Sequence, residues 1–289
     1  MKVTGFSFIR NALIYDYPVV EAIRSILPVC DEFIVAVGNS DDETKELIAK
    51  IDPAKIRIIE TEWDDSLREG GRVLALETDK AYKAIANDTD WAFYIQGDEV
   101  VHEKYLAPIK SAMLKWKDHP EVDGLLFDYL HFYGSYDYVG SSSKWYPHEI
   151  RIVRKSADIF SYRDAQGFRK GDNRKLRVKP ADACMYHYGW VKDPSAMQRK
   201  QENFHKLWHP DNWLEKNVVK ADEFDYSGID ALQLFKGTHP AVMLKRIGSR
   251  NWTFEFDLSY SNLSIKDKFK TFLRKWFRIE LGYKNYIKI

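Results

Sequence analysis

The stretch Trp91-Ala92-Phe93-Tyr94-Ile95-Gln96-Gly97-Asp98-Glu99 decides how this chain is read. Five apolar residues in a row have the length and aromatic content of a buried strand, and a polar turn of amide, glycine and two carboxylates stops them. Either the strand simply ends in solvent, or its tip presents oxygen ligands to a cation or a phosphate. The surrounding sequence distinguishes the two.

Upstream, element types alternate. Lys2–Ile9 reads as a strand, Tyr17–Pro28 as a helix with Pro18 in its first turn, and Glu32–Val37 as a second strand. A helix over Glu43–Ile51, a strand over Lys55–Thr61 and a helix from Arg72 to about Asn87 follow. Downstream, a helix covers Glu103–Trp116. Strands with short apolar runs, each followed by a helix, predict a mostly parallel Rossmann-like sheet covered on both faces. After Asp123–Leu130 the texture changes to Tyr, Trp, Gly and Ser, and Glu149–Arg154 alternates as an added antiparallel strand would. Ala181–Trp190 reads as a further strand, Pro194–Trp208 as a helix.

Composition sets limits. The 289 residues are 45% hydrophobic and 15% aromatic, enough for a large core, and the net charge of +1 selects no nucleic acid partner. Cys30 and Cys184 sit among apolar residues and read as reduced thiols of a cytoplasmic protein. The first residues lack the basic lead and cleavage site of a signal peptide, and no apolar run has the length to span a bilayer.

In open parallel sheets ligands gather at the carboxyl ends of the strands. Here those ends carry Arg10-Asn11, then Gly38-Asn39-Ser40-Asp41-Asp42, then Trp63-Asp64-Asp65 with Gly70-Gly71-Arg72, then Gln96-Gly97-Asp98-Glu99. Such an edge suits a base and ribose, a pyrophosphate and a divalent metal.

In order and spacing, the polar-ended first strand, "CDEFIVAVGNSDDET", the helix after "EGGR" and "WAFYIQGDE" resemble the inverting family-2 glycosyltransferases of GT-A fold, over roughly residues 3–190. The resemblance implies a GT-A catalytic domain over 1–190, its nucleotide-sugar half about 1–122 and its acceptor half about 123–190. A helical extension over 191–289 would pack on it. It implies transfer of a sugar from a nucleotide-sugar donor to a glycan or lipid-linked acceptor, assisted by Mn2+ or Mg2+. Arg10, Asn11, Gly38, Asn39, Asp41, Arg72, Gln96 and Gly97 become donor-binding candidates, Asp98 the metal ligand and His187 a second ligand. Two positions depart from the family pattern: Val37 stands where the second strand usually ends in aspartate, and Gln96 replaces the first Asp of Asp-x-Asp. A silent nucleotide- or carbohydrate-binding module and a sugar-nucleotide pyrophosphorylase are the rival readings; the second expects a glycine-rich loop where this chain has "IRNALIYD".

Several positions keep ordinary alternatives. His187 among aromatics also suits a core histidine, Arg72 a surface arginine, and Lys200 either a solvated lysine or a diphosphate contact. An inverting reaction needs a general base. Asp164 in "SYRDAQGFRKGDN" is the choice, with Asp172 and Glu149 as alternatives. Trp145 and Tyr136 are candidates for stacking on sugar faces.

At the end of the chain, Phe269, Phe272, Leu273, Trp276 and Phe277 recur at helical spacing among Lys268, Lys270, Arg274, Lys275 and Arg278. Residues 266–289 hold eight basic and two acidic side chains. This pattern fits either peripheral contact with the inner face of an anionic membrane or a helix docked on its own domain with a solvated basic face.

Overall fold

A computed structural model describes residues 1–67, 70–217, 221–277 and 279–289; Arg278 of the basic tail lies outside them. The first part runs β1 (Val3–Ile9), α1 (Val19–Ile26), β2 (Glu32–Gly38), α2 (Thr44–Ala49), β3 (Ile56–Thr61), α3 (Arg72–Lys83) and β4 (Trp91–Tyr94). Then come β5 (Glu99–Val101), α4 (Leu106–Trp116), β6 (Gly124–Tyr133), β7 (Tyr138–Gly140), β8 (His148–Arg154), β9 (Ile159–Tyr162), β10 (Gly167–Lys170) and the long β11 (Arg174–Trp190). The remainder holds α5 (Pro194–Lys206), α6 (Asp211–Asn217), β12 (Leu232–Leu234), α7 (Leu244–Gly248), α8 (Ile265–Phe277) and β13 (Tyr286–Lys288).

The main sheet has the order β3-β2-β1-β4-β8-β6-β11-β10-β9. β3, β2, β1 and β4 are parallel, β8 is inserted antiparallel between β4 and β6, and β6 and β11 again run parallel. This is a mixed, helix-flanked sheet, parallel in its first four strands and with an added antiparallel strand, as the sequence implies. Its strands are apolar throughout because both faces are covered. Val3, Phe33, Val35, Trp91 and Phe93 pack under α1, α2 and α4, while Phe6, Ile34, Ala92 and Tyr94 pack with Tyr82 and Ile85, at the end of α3, and with Phe168 of β10. Trp91 Nε1 donates to the Met113 carbonyl (3.1 Å), tying α4 to β4.

The parallel pairings put the ends of β1, β2, β4, β6 and β11 on one edge. Elements that the sequence did not announce reinforce that edge. β5 turns back antiparallel onto Met185–His187 and carries Glu99 beside His187. β13 adds to the start of β11, so the segment after 190 is not wholly helical. α5 begins where Asp193 accepts the amides of Ser195 (3.0 Å) and Ala196 (3.4 Å), with Pro194 in its first turn. That start lays α5 back across the sheet edge.

Candidate active site

At this edge lies a cavity of about 390 Å³. Its walls come from the end of β1, the turns after β1, β2, β3 and β4, Leu74 of α3, and α5. Of the expected donor-binding residues, Arg10, Asn11, Asp41, Gln96 and Gly97 line it, and so do Asp98, the expected metal ligand, and Lys200. Gly38 and Asn39 act one layer back. A Cβ on Gly38 would stand 2.4 Å from Trp63 Nε1, so only glycine lets the Trp63 ring lie against the end of β2. Asn39 Oδ1 accepts the Trp63 amide (3.2 Å), and its carbonyl accepts Arg10 Nε (3.0 Å). Arg10 continues to Asp65 (2.8 Å). Arg72 is exposed on the first turn of α3 and does not line the cavity.

The polar turn after β2 has two jobs. Asp42 is structural: its carboxylate accepts the amides of Leu13 and Ile14 (both 2.9 Å), fixing the loop after β1. Asp41 forms a reciprocal pair with Asn11, Asn11 Nδ2 donating to Asp41 Oδ2 (3.2 Å) and the Asp41 amide to Asn11 Oδ1 (2.7 Å). Asn11 adopts φ 54°, a left-handed conformation that asparagine tolerates better than most residues. The pair sets an amide and a carboxylate side by side in the cavity wall, a donor–acceptor set that suits the edge of a base or a ribose.

The other end of the cavity is charged. Asp98 Oδ2 accepts Lys200 Nζ at 3.0 Å, and Asp98 Oδ1 lies 3.8 Å from His187 Nε2. Burial disfavours the Asp98 carboxylate, but Lys200, His187 and Lys192 overcome it and hold the group well below the usual carboxylate range. Lys192, absent from the sequence expectations, is completely buried next to Lys200, and both ammonium groups sit over the Tyr17 ring, 4.6 and 5.0 Å from its centroid. Burial, then the neighbouring Lys200, pushes Lys192 down to about 7. Its missed signal was "VKDP" at the end of a strand, where a lysine is easily taken as solvated.

Glu99, the carboxylate next to Asp98, belongs to the scaffold. Arg151 binds both of its oxygens (2.7 and 2.8 Å), and the Tyr129 hydroxyl donates to it (2.6 Å). All three groups are buried. Arg151 also donates to the Gln166 carbonyl (3.0 Å), anchoring the turn that carries Asp164. That turn meets the cavity where Gln96 Nε2 donates to the Ala165 carbonyl (3.3 Å). Gln96 therefore braces the turn as well as lining the cavity. Arg163 (φ 58°) and Ala165 (φ 63°) flank Asp164 with two left-handed non-glycine residues, a costly backbone that persists only where surroundings impose it. Burial raises the Asp164 carboxyl above its ordinary value. Asp164 does not itself line the cavity. Glu149 is more deeply buried and is pushed up to about 8, chiefly by burial and by Glu99 and Asp164 against the opposing Arg151. Asp172 is exposed in the turn between β10 and β11.

His187 is held by hydrogen bonds rather than lost in the core. Its Nδ1 lies 3.1 Å from His131 Nδ1, and His131 Nε2 lies 2.8 Å from the Tyr146 carbonyl. A carbonyl only accepts, so His131 is protonated on Nε2. With His131 neutral, its Nδ1 accepts from His187 Nδ1–H, which leaves the His187 Nε2 lone pair facing Asp98. Gly189 keeps that space clear: a Cβ there would stand 2.7 Å from His187 Nε2 and 2.8 Å from Asp98 Oδ2. Asp98 Oδ1 and His187 Nε2 thus fit a divalent cation as two protein ligands, the remaining positions being left to substrate oxygens, as is common for Mg2+. Among the described residues no cluster of three or more such ligands occurs.

The two aromatic candidates part company. Trp145 is half-buried and stacks on His131 with 5.0 Å between centroids, in the wall of a second cleft of about 340 Å³ bounded by α8. Tyr136 is a core residue enclosed by Tyr188, His239 and Trp252, so it has no face for a sugar. Packing of the β6–β7 connection explains it fully.

No protein-family model and no curated protein matches the chain. Among solved structures it is similar to S. aureus TarS 1–349 in complex with UDP, with 15% identity, 77% of this chain and 68% of that one covered, and a TM-score of 0.43. It is similar to glucosyl-3-phosphoglycerate synthase from Mycobacterium tuberculosis in complex with Mn2+, uridine diphosphate and glucosyl-3-phosphoglycerate. There the identity is 16%, the coverage 46% of this chain and 45% of that one, and the TM-score 0.31. A third similarity is to the 4-diphosphocytidyl-2C-methyl-D-erythritol synthase of Anaerococcus prevotii, at 13% identity, 66% and 91% coverage and a TM-score of 0.39.

Proposed function

We propose that this chain is an inverting glycosyltransferase that takes a nucleotide-sugar donor and passes the sugar to a hydroxyl of a glycan or a lipid-linked acceptor. One observation carries the proposal. A single cavity joins Arg10, Trp63 and the Asn11–Asp41 pair at one end to Asp98 and Lys200 at the other, with His187 and the buried Lys192 directly behind Asp98. The first group suits a base and ribose; the second suits a diphosphate.

Breaking the bond from the sugar C1 to the diphosphate leaves negative charge on the leaving oxygens. Lys200, fixed between Asp98 and the Gly189 carbonyl (2.8 Å), is placed to meet that charge without rearranging, the condition under which electrostatic stabilisation is most effective. Asp98 and His187 would hold Mn2+ or Mg2+, which supplies further charge to the diphosphate when bound. The acceptor oxygen forms its bond to C1 on the face opposite the departing diphosphate, and its proton passes to Asp164. A carboxylate raised by burial and held by a strained turn suits that task.

Thermal stability measured with UDP, GDP, CMP and dTDP, each with and without Mn2+, tests the proposal. A shift for one nucleotide that needs the metal, and that Asp98→Ala abolishes, is the expected result. No shift with any nucleotide overturns the transferase reading, and binding without transfer or sugar release makes the chain a silent module.

A further inference from the structure

α8 is docked the wrong way round for a helix that belongs only to its own domain. At about 100° per residue, Ile265, Phe269, Phe272 and Trp276 fall within about 60° of one another on the helix circumference. They are 88, 57, 49 and 70% exposed. An amphipathic helix ordinarily buries that stripe. Here its polar side is held instead. Thr271 Oγ1 accepts the Ser143 amide (3.1 Å), and Arg274 donates to the carbonyls of Ser142 (2.9 Å), Trp145 (3.3 Å) and Ser141 (3.4 Å).

Around the circumference, Lys268 and Lys275 border the apolar stripe on one side and Lys266 on the other. No described helix is long and apolar enough to cross a membrane. A stripe of aromatics edged by lysines has instead the form of a helix lying in a lipid interface, rings among the acyl chains and ammonium groups at the phosphates. A second copy fits less well. An isologous contact through the stripe would bring the same three lysines of both copies together without an acid to pair them.

We propose that α8 seats this protein on an anionic membrane surface through Ile265, Phe269, Phe272 and Trp276, with Lys266, Lys268 and Lys275 on the lipid phosphates. The same helix walls the 340 Å³ cleft with Thr271, Arg274 and Lys275, and across that cleft lie Trp145 and His131, the latter bonded to His187. Seated this way, the protein holds the cleft at the bilayer surface, where an acceptor carried by a lipid would reach it.

Flotation of the full chain with vesicles tests this independently of donor chemistry. The chain should float with phosphatidylcholine vesicles containing phosphatidylglycerol and not with phosphatidylcholine alone. Phe272→Ser/Trp276→Ser and Lys268→Glu/Lys275→Glu should each weaken association about tenfold or more, and raised salt should weaken that of the unaltered chain. Because these side chains are exposed, both variants should keep the thermal midpoint, and any nucleotide shift, of the unaltered protein. Failure to float, equal flotation with neutral vesicles, or flotation of the aromatic variant at the original level overturns the proposal. So does a dimer in sedimentation that Trp276→Ser dissolves without any vesicle binding.

Discussion

His131 Nδ1 lies 3.1 Å from His187 Nδ1, and this contact decides which nitrogen of His187 is free. Because the Tyr146 carbonyl accepts the Nε2–H of His131 (2.8 Å), a neutral His131 offers Nδ1 as acceptor, and His187, donating from Nδ1, presents Nε2 as a lone pair. His131→Leu removes the acceptor and releases the tautomer. The expected outcome is a loss of about 10- to 100-fold in Mn2+ affinity in the presence of the bound nucleotide, measured by calorimetry. The thermal midpoint without metal or nucleotide should stay close to that of the unaltered protein. Unchanged metal affinity in this variant means that His131 only packs.

Gly189→Ala probes the same space from the other side. Its methyl group would stand under 3 Å from both His187 Nε2 and Asp98 Oδ2. Metal-dependent stabilisation by nucleotide should disappear, while overpacking costs about 1–3 kcal/mol of folding stability. Full retention of the metal-dependent shift would show that no cation binds between these groups.

Lys200→Met leaves the carboxylate of Asp98 without its 3.0 Å ion-pair partner and removes from the charged end of the cavity the ammonium proposed to meet the diphosphate. A fall of about 10²- to 10³-fold in kcat is expected, the usual cost of one preorganised donor. A rise in KM alone, with kcat intact, would instead mark Lys200 as a ground-state contact.

These residues also show what was legible beforehand. β1 to β4 announced themselves because strands covered on both faces must be apolar throughout, and their polar ends were visible as sharp changes of composition. The place of Asp98 in the cavity wall followed from its position in that pattern. Glu99, one residue on, differed only through Arg151 and Tyr129, which reach it from residues far along the chain. The burial of Lys192 and the His131–His187 contact were hidden for the same reason: the first depends on Asp16 and Tyr17 of the loop after β1, the second on β6 and β11 being adjacent. Tyr136 misled because aromatic composition carries no information about which side a ring faces. In α8 the spacing was clear, and the direction in which it docks was set by Thr271 and Arg274, two residues that hydropathy does not single out.

Glu149 predicts how stability depends on pH. Its carboxyl is raised to about 8 in the folded protein from an ordinary value of 4.5. The folded state then binds more protons than the unfolded one between those limits, so this group's contribution is complete below about 4.5 and is lost as pH rises through about 8. The thermal midpoint of Glu149→Gln, relative to the unaltered protein, should therefore improve as pH rises from 5 toward and beyond about 8. A constant difference across that range would show that Glu149 is not protonated in the fold.

Asp164 is separated from Glu149 by kinetics. Both carboxyls are raised by burial, and only Asp164 sits on the turn that Gln96 braces against the cavity, between two left-handed residues. A general base works as the carboxylate, so activity should fall on the acid side, with its inflection above the ordinary range for aspartate. Asp164→Asn keeps the shape of the turn and removes the base. Single-turnover transfer should drop about 10²- to 10⁴-fold while nucleotide affinity and the metal-dependent thermal shift stay as they were. If Glu149→Gln gives that loss and Asp164→Asn does not, the base is Glu149, and the strained turn serves only to hold Gln96 in the cavity wall.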